Sequence, residues 1–68
     1  MEHGNVLNWD AVRGFGFIKP EAGGKNVFLH AKTLPIGAPV EVGARVQFEA
    51  EVGNRGPYAT TARLIAVR

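Results

Sequence analysis

Three phenylalanines and a histidine fall at alternate positions of two short segments. Phe15 and Phe17 lie in R-G-F-G-F-I (Arg13 to Ile18), and Phe28 and His30 in N-V-F-L-H (Asn26 to His30). In an extended chain alternate residues share a face. Phe15, Phe17 and Lys19 then face one way, and Gly16 and Ile18 the other. Phe28 and His30 likewise oppose Val27 and Leu29. A small barrel has one interior, and Ile18, Val27 and Leu29 supply its aliphatic filling. The rings are left outside, which is costly unless something covers them. The opposite assignment would expose the three aliphatic side chains instead. Single-stranded bases make a suitable cover, because every base has a π-face and each aromatic stack is worth about 1–3 kcal/mol. Gly14 and Gly16, lacking Cβ, leave the strand smooth between rings. Arg13 and Lys19 flank the patch and can meet phosphates.

Other chemistry finds little support. The chain has no cysteine and no serine, which removes disulfides, thiolate metal sites and serine nucleophiles. His3 and His30 are the only histidines, with no carboxylate pair at ligand spacing, so no metal site is expected. G-G-K-N (Gly23 to Asn26) lacks the upstream glycine and the following Ser or Thr of a phosphate loop, and reads as a turn. G-F-G-F has no third glycine and no helix after it, so it is no dinucleotide fingerprint. Glu49 and Glu51 read as a solvated strand face. No nucleophile and base can be paired, so the reading is not an enzyme and needs no cofactor. Eight Lys and Arg against six Asp and Glu give a net charge of +2, compatible with a polyanionic partner. No apolar run approaches the roughly 18 residues that cross a bilayer. The segment M-E-H-G-N lacks the basic and apolar regions of a signal peptide. A cytoplasmic protein without membrane contact is expected.

The elements that position the rings must be short. Sixty-eight residues make one domain, residues 1–68, with a small core. Turn signals recur at Gly14, Pro20 to Gly24, Pro35 to Pro39, Gly43 and Gly53 to Pro57. Between them the sequence predicts five strands: Gly4 to Asp10, Phe15 to Lys19, Asn26 to His30, Arg45 to Val52 and Tyr58 to Val67. In the fourth, Val46, Phe48, Ala50 and Val52 point inward and Gln47, Glu49 and Glu51 outward. In the fifth, Ala62, Leu64 and Ala66 compete with Ile65 and Val67, and the register stays open. Closing five strands into a barrel removes exposed sheet edges.

Four motifs in order carry a family resemblance: G-x-V (Gly4 to Val6), R-G-F-G-F-I, V-F-L-H (Val27 to His30) and G-N-R-G-P (Gly53 to Pro57). Together the motifs resemble a cold-shock domain over nearly the whole chain. An RRM shares the aromatic octapeptide but needs a strand and a helix before it, for which the dozen preceding residues leave no room. The resemblance implies an all-β, five-stranded antiparallel OB-fold barrel that binds single-stranded RNA or DNA. It places Phe15, Phe17, Phe28 and His30 as base-stacking residues, Arg13 at the platform edge and Arg55 as a loop contact. Asn26 stands where the family often has an aspartate that bonds a base edge. Tyr58 adds a ring near the Arg55 loop, and Trp9 is counted with the contacting residues. Three departures stand out. Where the family usually reads K-W-F-N this chain reads L-N-W-D, so Leu7 replaces the lysine, Asn8 takes the tryptophan position and Trp9 the phenylalanine position. Ala31 replaces an aromatic, and the loop from Pro35 to Val42 lacks a phenylalanine. A reduced platform implies lower affinity or a shorter footprint.

The expected function is single-stranded nucleic-acid binding without catalysis, as an RNA chaperone. The alternative is an OB-type adaptor that docks an apolar peptide on the same rings. Arg13, Lys19, Lys25 and Arg55 separate the two, since nucleic-acid binding weakens steeply with salt. A monomer is expected. The alternative is a domain-swapped dimer hinged between Leu34 and Val42, where Pro35 and Pro39 stiffen the chain.

Overall fold

A computed structural model describes residues 2–35 and 40–65. Five strands form: β1 (Glu2–Asp10), β2 (Phe15–Pro20), β3 (Val27–His30), β4 (Arg45–Gly53) and β5 (Gly56–Leu64), with a 3-10 turn at Ala31–Thr33. They close into a barrel in the order β1-β2-β3-β5-β4. β1 joins the two halves, pairing with β4 through Glu2 to Asn5 and with β2 through Gly4 to Asp10.

Four seams are antiparallel and one is not. β3 and β5 run parallel and meet at Phe28 and Tyr58. The expectation of an antiparallel barrel is corrected there, for a reason of parity. Strand direction alternates around an antiparallel ring, and five strands cannot alternate all the way, so one seam must be parallel.

The interior holds Val6, Ile18, Val27, Leu29, Leu34, Val46, Phe48, Ala59 and Ala62. Val6, Ile18 and Val27 form one cross-strand row through β1, β2 and β3. The inward assignment of Ile18, Val27, Leu29, Val46 and Phe48 therefore holds. Full burial of each such side chain is worth about 1.5–3 kcal/mol, and no charged or polar residue shares the interior among the described residues. Val52, expected inward, is 82% exposed. It sits where β4 runs beyond the barrel into its hairpin with β5, paired with Pro57.

Two irregularities interrupt the alternation. In β1 the register shifts between Val6 and Asn8, so Leu7 is the extra residue. In the β4–β5 ladder it shifts between Glu49 and Ala50: Glu49 pairs Thr61 but Ala50 pairs Ala59. Thr60 is left over, and its hydroxyl donates to the Glu49 carbonyl at 3.2 Å. Ala59 and Ala62, three residues apart, thus both face inward. That spacing explains why period-two counting left the register of the fifth strand open. This strand begins at Gly56 rather than Tyr58 and ends at Leu64. Ala66 and Val67, assigned to it from sequence, lie outside the described residues, as do residues 36–39 of the proposed swapping hinge.

Candidate nucleic-acid interface

β2 and β3 pair Phe15 with His30 and Phe17 with Phe28. Directly opposed residues of a ladder share a face, and Gly16, Ile18, Val27 and Leu29 take the inward one. The four rings therefore stand together outside. Phe28 is their centre: its centroid lies 5.7 Å from Phe15 at an interplanar angle of 33° and 5.7 Å from Phe17 at 75°. His30 is 6.4 Å away at 46°. Such offset and edge contacts suit the ring quadrupoles. Because Phe17 and Phe28 are nearly perpendicular, one base cannot lie flat on both. They present two separate flat faces.

The parallel seam adds Tyr58 beside Phe28 on the same face, 39% exposed. Beyond it the β4–β5 hairpin turns through Asn54 and Arg55, with Gly53 paired to Gly56. Gly56 has φ of +113°, which an L side chain resists. A Cβ on Gly53 would press to 3.0 Å from the Tyr58 ring, so the glycine makes room for that ring. The hairpin and the rings together line a half-open cleft of about 670 Å³, bordered by Phe15, Phe17, Asn26, Phe28, residues 53–57 and Tyr58. Gly53, Asn54, Gly56 and Pro57 join the site only through the structure, and the G-N-R-G-P motif that contains them is their signal in the sequence.

Polar groups border the rings. The imidazole of His30 caps the 3-10 turn, with Nδ1 accepting from the Lys32 N–H at 3.0 Å. That bond fixes the ring and leaves Nε2 to carry the proton. Asp10 orders the β1–β2 turn: its Oδ1 accepts from the N–H groups of Val12 (3.1 Å) and Arg13 (3.0 Å). The Arg13 Nε lies 3.9 Å from Asp10 Oδ2, a loose pair with both side chains solvated, which leaves the guanidinium available at the edge near Phe15. Arg55 and Asn26 line the cleft, and both are exposed.

Two predicted site residues stand apart from this group. Lys19 is exposed at the far end of β2, paired with Asn5, past the last β2–β3 pair at Ile18 and Val27. It extends the outer face without lining the cleft. Trp9 pairs with Gly16 on the inward face and packs against the core. The structure does not bring it to the platform; Asn8, opposite Phe17, holds that position instead. Gly16 also has another role than smoothing the ring surface. A Cβ there would overlap the Asn8 carbonyl oxygen and lie 2.9 Å from Trp9 Cε3, so the glycine admits β1 to close approach.

Comparisons with known proteins agree with this architecture. The family model for the 'Cold-shock' DNA-binding domain matches residues 2–65. The chain is 39% identical over 67 residues to Cold shock-like protein CspA of Bordetella pertussis, covering 96% of this chain and all of that protein. Cold shock-like protein CspD of Escherichia coli is 37% identical over 62 residues, covering 88% and 84%. Among solved structures, drosophila Unr CSD456 superposes with a TM-score of 0.77 at 17% identity, over 96% of this chain and 26% of that one. This last likeness concerns the fold.

Proposed function

This chain belongs to the cold-shock domain family, a family of nucleic-acid-binding proteins, and we propose that it binds single-stranded RNA or DNA by stacking successive bases on Phe17, Phe28, Phe15 and His30. Tyr58 widens the platform, and Asn26 faces base edges. Arg13 and Arg55 meet phosphates from opposite margins, and Lys19 and Lys25 add charge beyond them. The observation that carries the reading is the solvent-facing ring cluster centred on Phe28, which shares a cleft with an arginine-bearing hairpin.

The chemistry is binding without bond making. Paired bases hide their faces against each other, so a surface that stacks on base faces favours open strands. It shifts weak hairpins toward the single-stranded form by its differential affinity for the two states. That is chaperone action on RNA, and a cytoplasmic monomer suffices for it. The bordering cations favour this over docking of an apolar peptide.

The test is titration of six- to eight-nucleotide single strands and matched duplexes at two salt concentrations, followed by the fluorescence anisotropy of an end-labelled oligonucleotide. Tight single-strand binding that weakens with salt and exceeds duplex binding is expected. Preference for duplex, or salt-independent affinity, would refute it.

A further inference from the structure

The pairings place five residues in one cross-strand row on the outer face. Asn8 opposes Phe17, Phe17 opposes Phe28, Phe28 opposes Tyr58, and Tyr58 opposes Glu51. Three rings are bracketed by an amide at one end and a carboxylate at the other. The amide is there because of the bulge at Leu7. Counting by twos from Val6 would turn Asn8 inward and Leu7 outward, opposite Phe17. The shift reverses this, sending Trp9 over Gly16 and Asn8 to the platform. Bulges are a recurrent means of re-aiming a side chain beside a functional site.

Asn8 is exposed, and its side chain makes none of the hydrogen bonds found among the described residues. Its neighbour Asp10, by contrast, is committed to the β1–β2 turn. Asn8 therefore presents a free N–H donor and a free carbonyl acceptor one strand spacing, about 4.8 Å, from Phe17. A base stacked on Phe17 extends beyond the ring, and its edge reaches the amide.

The geometry points to Asn8 as a specificity-determining residue that reads the edge of the base stacked on Phe17, with adenine as the preferred base. An amide matches adjacent donor and acceptor atoms. Adenine offers such a pair on both free edges, N6–H with N1 and N6–H with N7, and its two fused rings bridge from Phe17 to the amide. Guanine offers a donor beside an acceptor on its Watson–Crick edge, N1–H with O6, but only acceptors on its N7/O6 edge, and the pyrimidines have a single ring to span the gap. Asn bound bidentately to adenine is an established pairing in base readout.

This inference rests on the single-strand binding proposed above, and the experiment separates the two. A thymine-rich hexamer carries one adenine, moved through each position. At its best position that adenine is replaced by purine, which lacks the 6-amino group. With the unaltered protein, the replacement should weaken binding about five- to tenfold. With Asn8→Ala, and with the near-isosteric Asn8→Leu as a second variant, the adenine and purine oligomers should bind alike. Phe17→Ala should weaken both. Equal affinity of the unaltered protein for adenine and purine at every position overturns the role of Asn8 alone. So does discrimination that survives in the Asn8 variants. Failure of every oligonucleotide to bind overturns the proposed function with it.

Discussion

Substituting Gly16 by alanine separates two explanations of the same residue. If the glycine only smooths the surface between Phe15 and Phe17, a methyl group there should disturb bound bases and leave the fold intact. The structure predicts the reverse. The added Cβ would point inward, overlap the Asn8 carbonyl oxygen, and lie 3.0 Å from the Asn8 carbonyl carbon and 2.9 Å from Trp9 Cε3. An ordinary C···O approach is about 3.3 Å or more. β1 would have to withdraw and strain the pairs Asn8–Phe17 and Trp9–Gly16. Overpacking of this kind costs about 1–3 kcal/mol, and each weakened ladder bond about 0.5–1.5 kcal/mol. A combined loss of about 2–4 kcal/mol is large for a chain of 68 residues, whose whole stability is about 3–10 kcal/mol. Urea unfolding followed by the emission of Trp9, which sits against Gly16, reads this directly. Gly24→Ala is the comparison. Nothing lies within 4 Å of its Cβ position, and only its φ of +93° opposes the change, at about 1–2 kcal/mol. An unchanged unfolding midpoint for Gly16→Ala together with weakened oligonucleotide binding would refute the reasoning.

The remaining variants test the rings, the core and the hairpin. Phe28→Ala should weaken single-strand binding by about 1–3 kcal/mol, more than Phe15→Ala or Phe17→Ala does, because Phe28 contacts each of the other rings; calorimetric titration of the three variants ranks them. Phe48→Ala should cost about 3–5 kcal/mol, because that ring is wholly buried; circular dichroism at room temperature should find the domain largely unfolded. Arg55→Ala should lower affinity about equally for all sequences and flatten the salt dependence by about 0.7 to 1 in log–log slope; equal slopes for variant and parent would remove Arg55 from the phosphate contacts.

What could be read from the sequence follows from where period-two alternation is unbroken. In β2 and β3 it runs without interruption, so the division of Ile18, Val27 and Leu29 from Phe15, Phe17 and Phe28 was legible residue by residue. The rest depends on features alternation does not encode. The parallel seam is a consequence of closing an odd number of strands, and it joins residues far apart in sequence. The two bulges act at the margins of the platform. With Leu7 counted in regular alternation, Asn8 would face the interior and Trp9 the solvent. With Thr60 counted in the same way, counting back from the inward Ala62 would turn Tyr58 inward too. Each shift exchanges one polar or bulky residue for its neighbour at an end of the row. The centre of the site is thus fixed by local pattern, and its width by two inserted residues. Gly16 is the trace of the first insertion visible in the sequence, since only a residue without Cβ admits β1 that closely. Thr60 is the trace of the second: a hydroxyl that satisfies the Glu49 carbonyl where the ladder is interrupted. The family resemblance already placed Trp9 at a phenylalanine position, and burial of its indole against the core, with the shorter amide outside, is the arrangement the bulge makes cheapest.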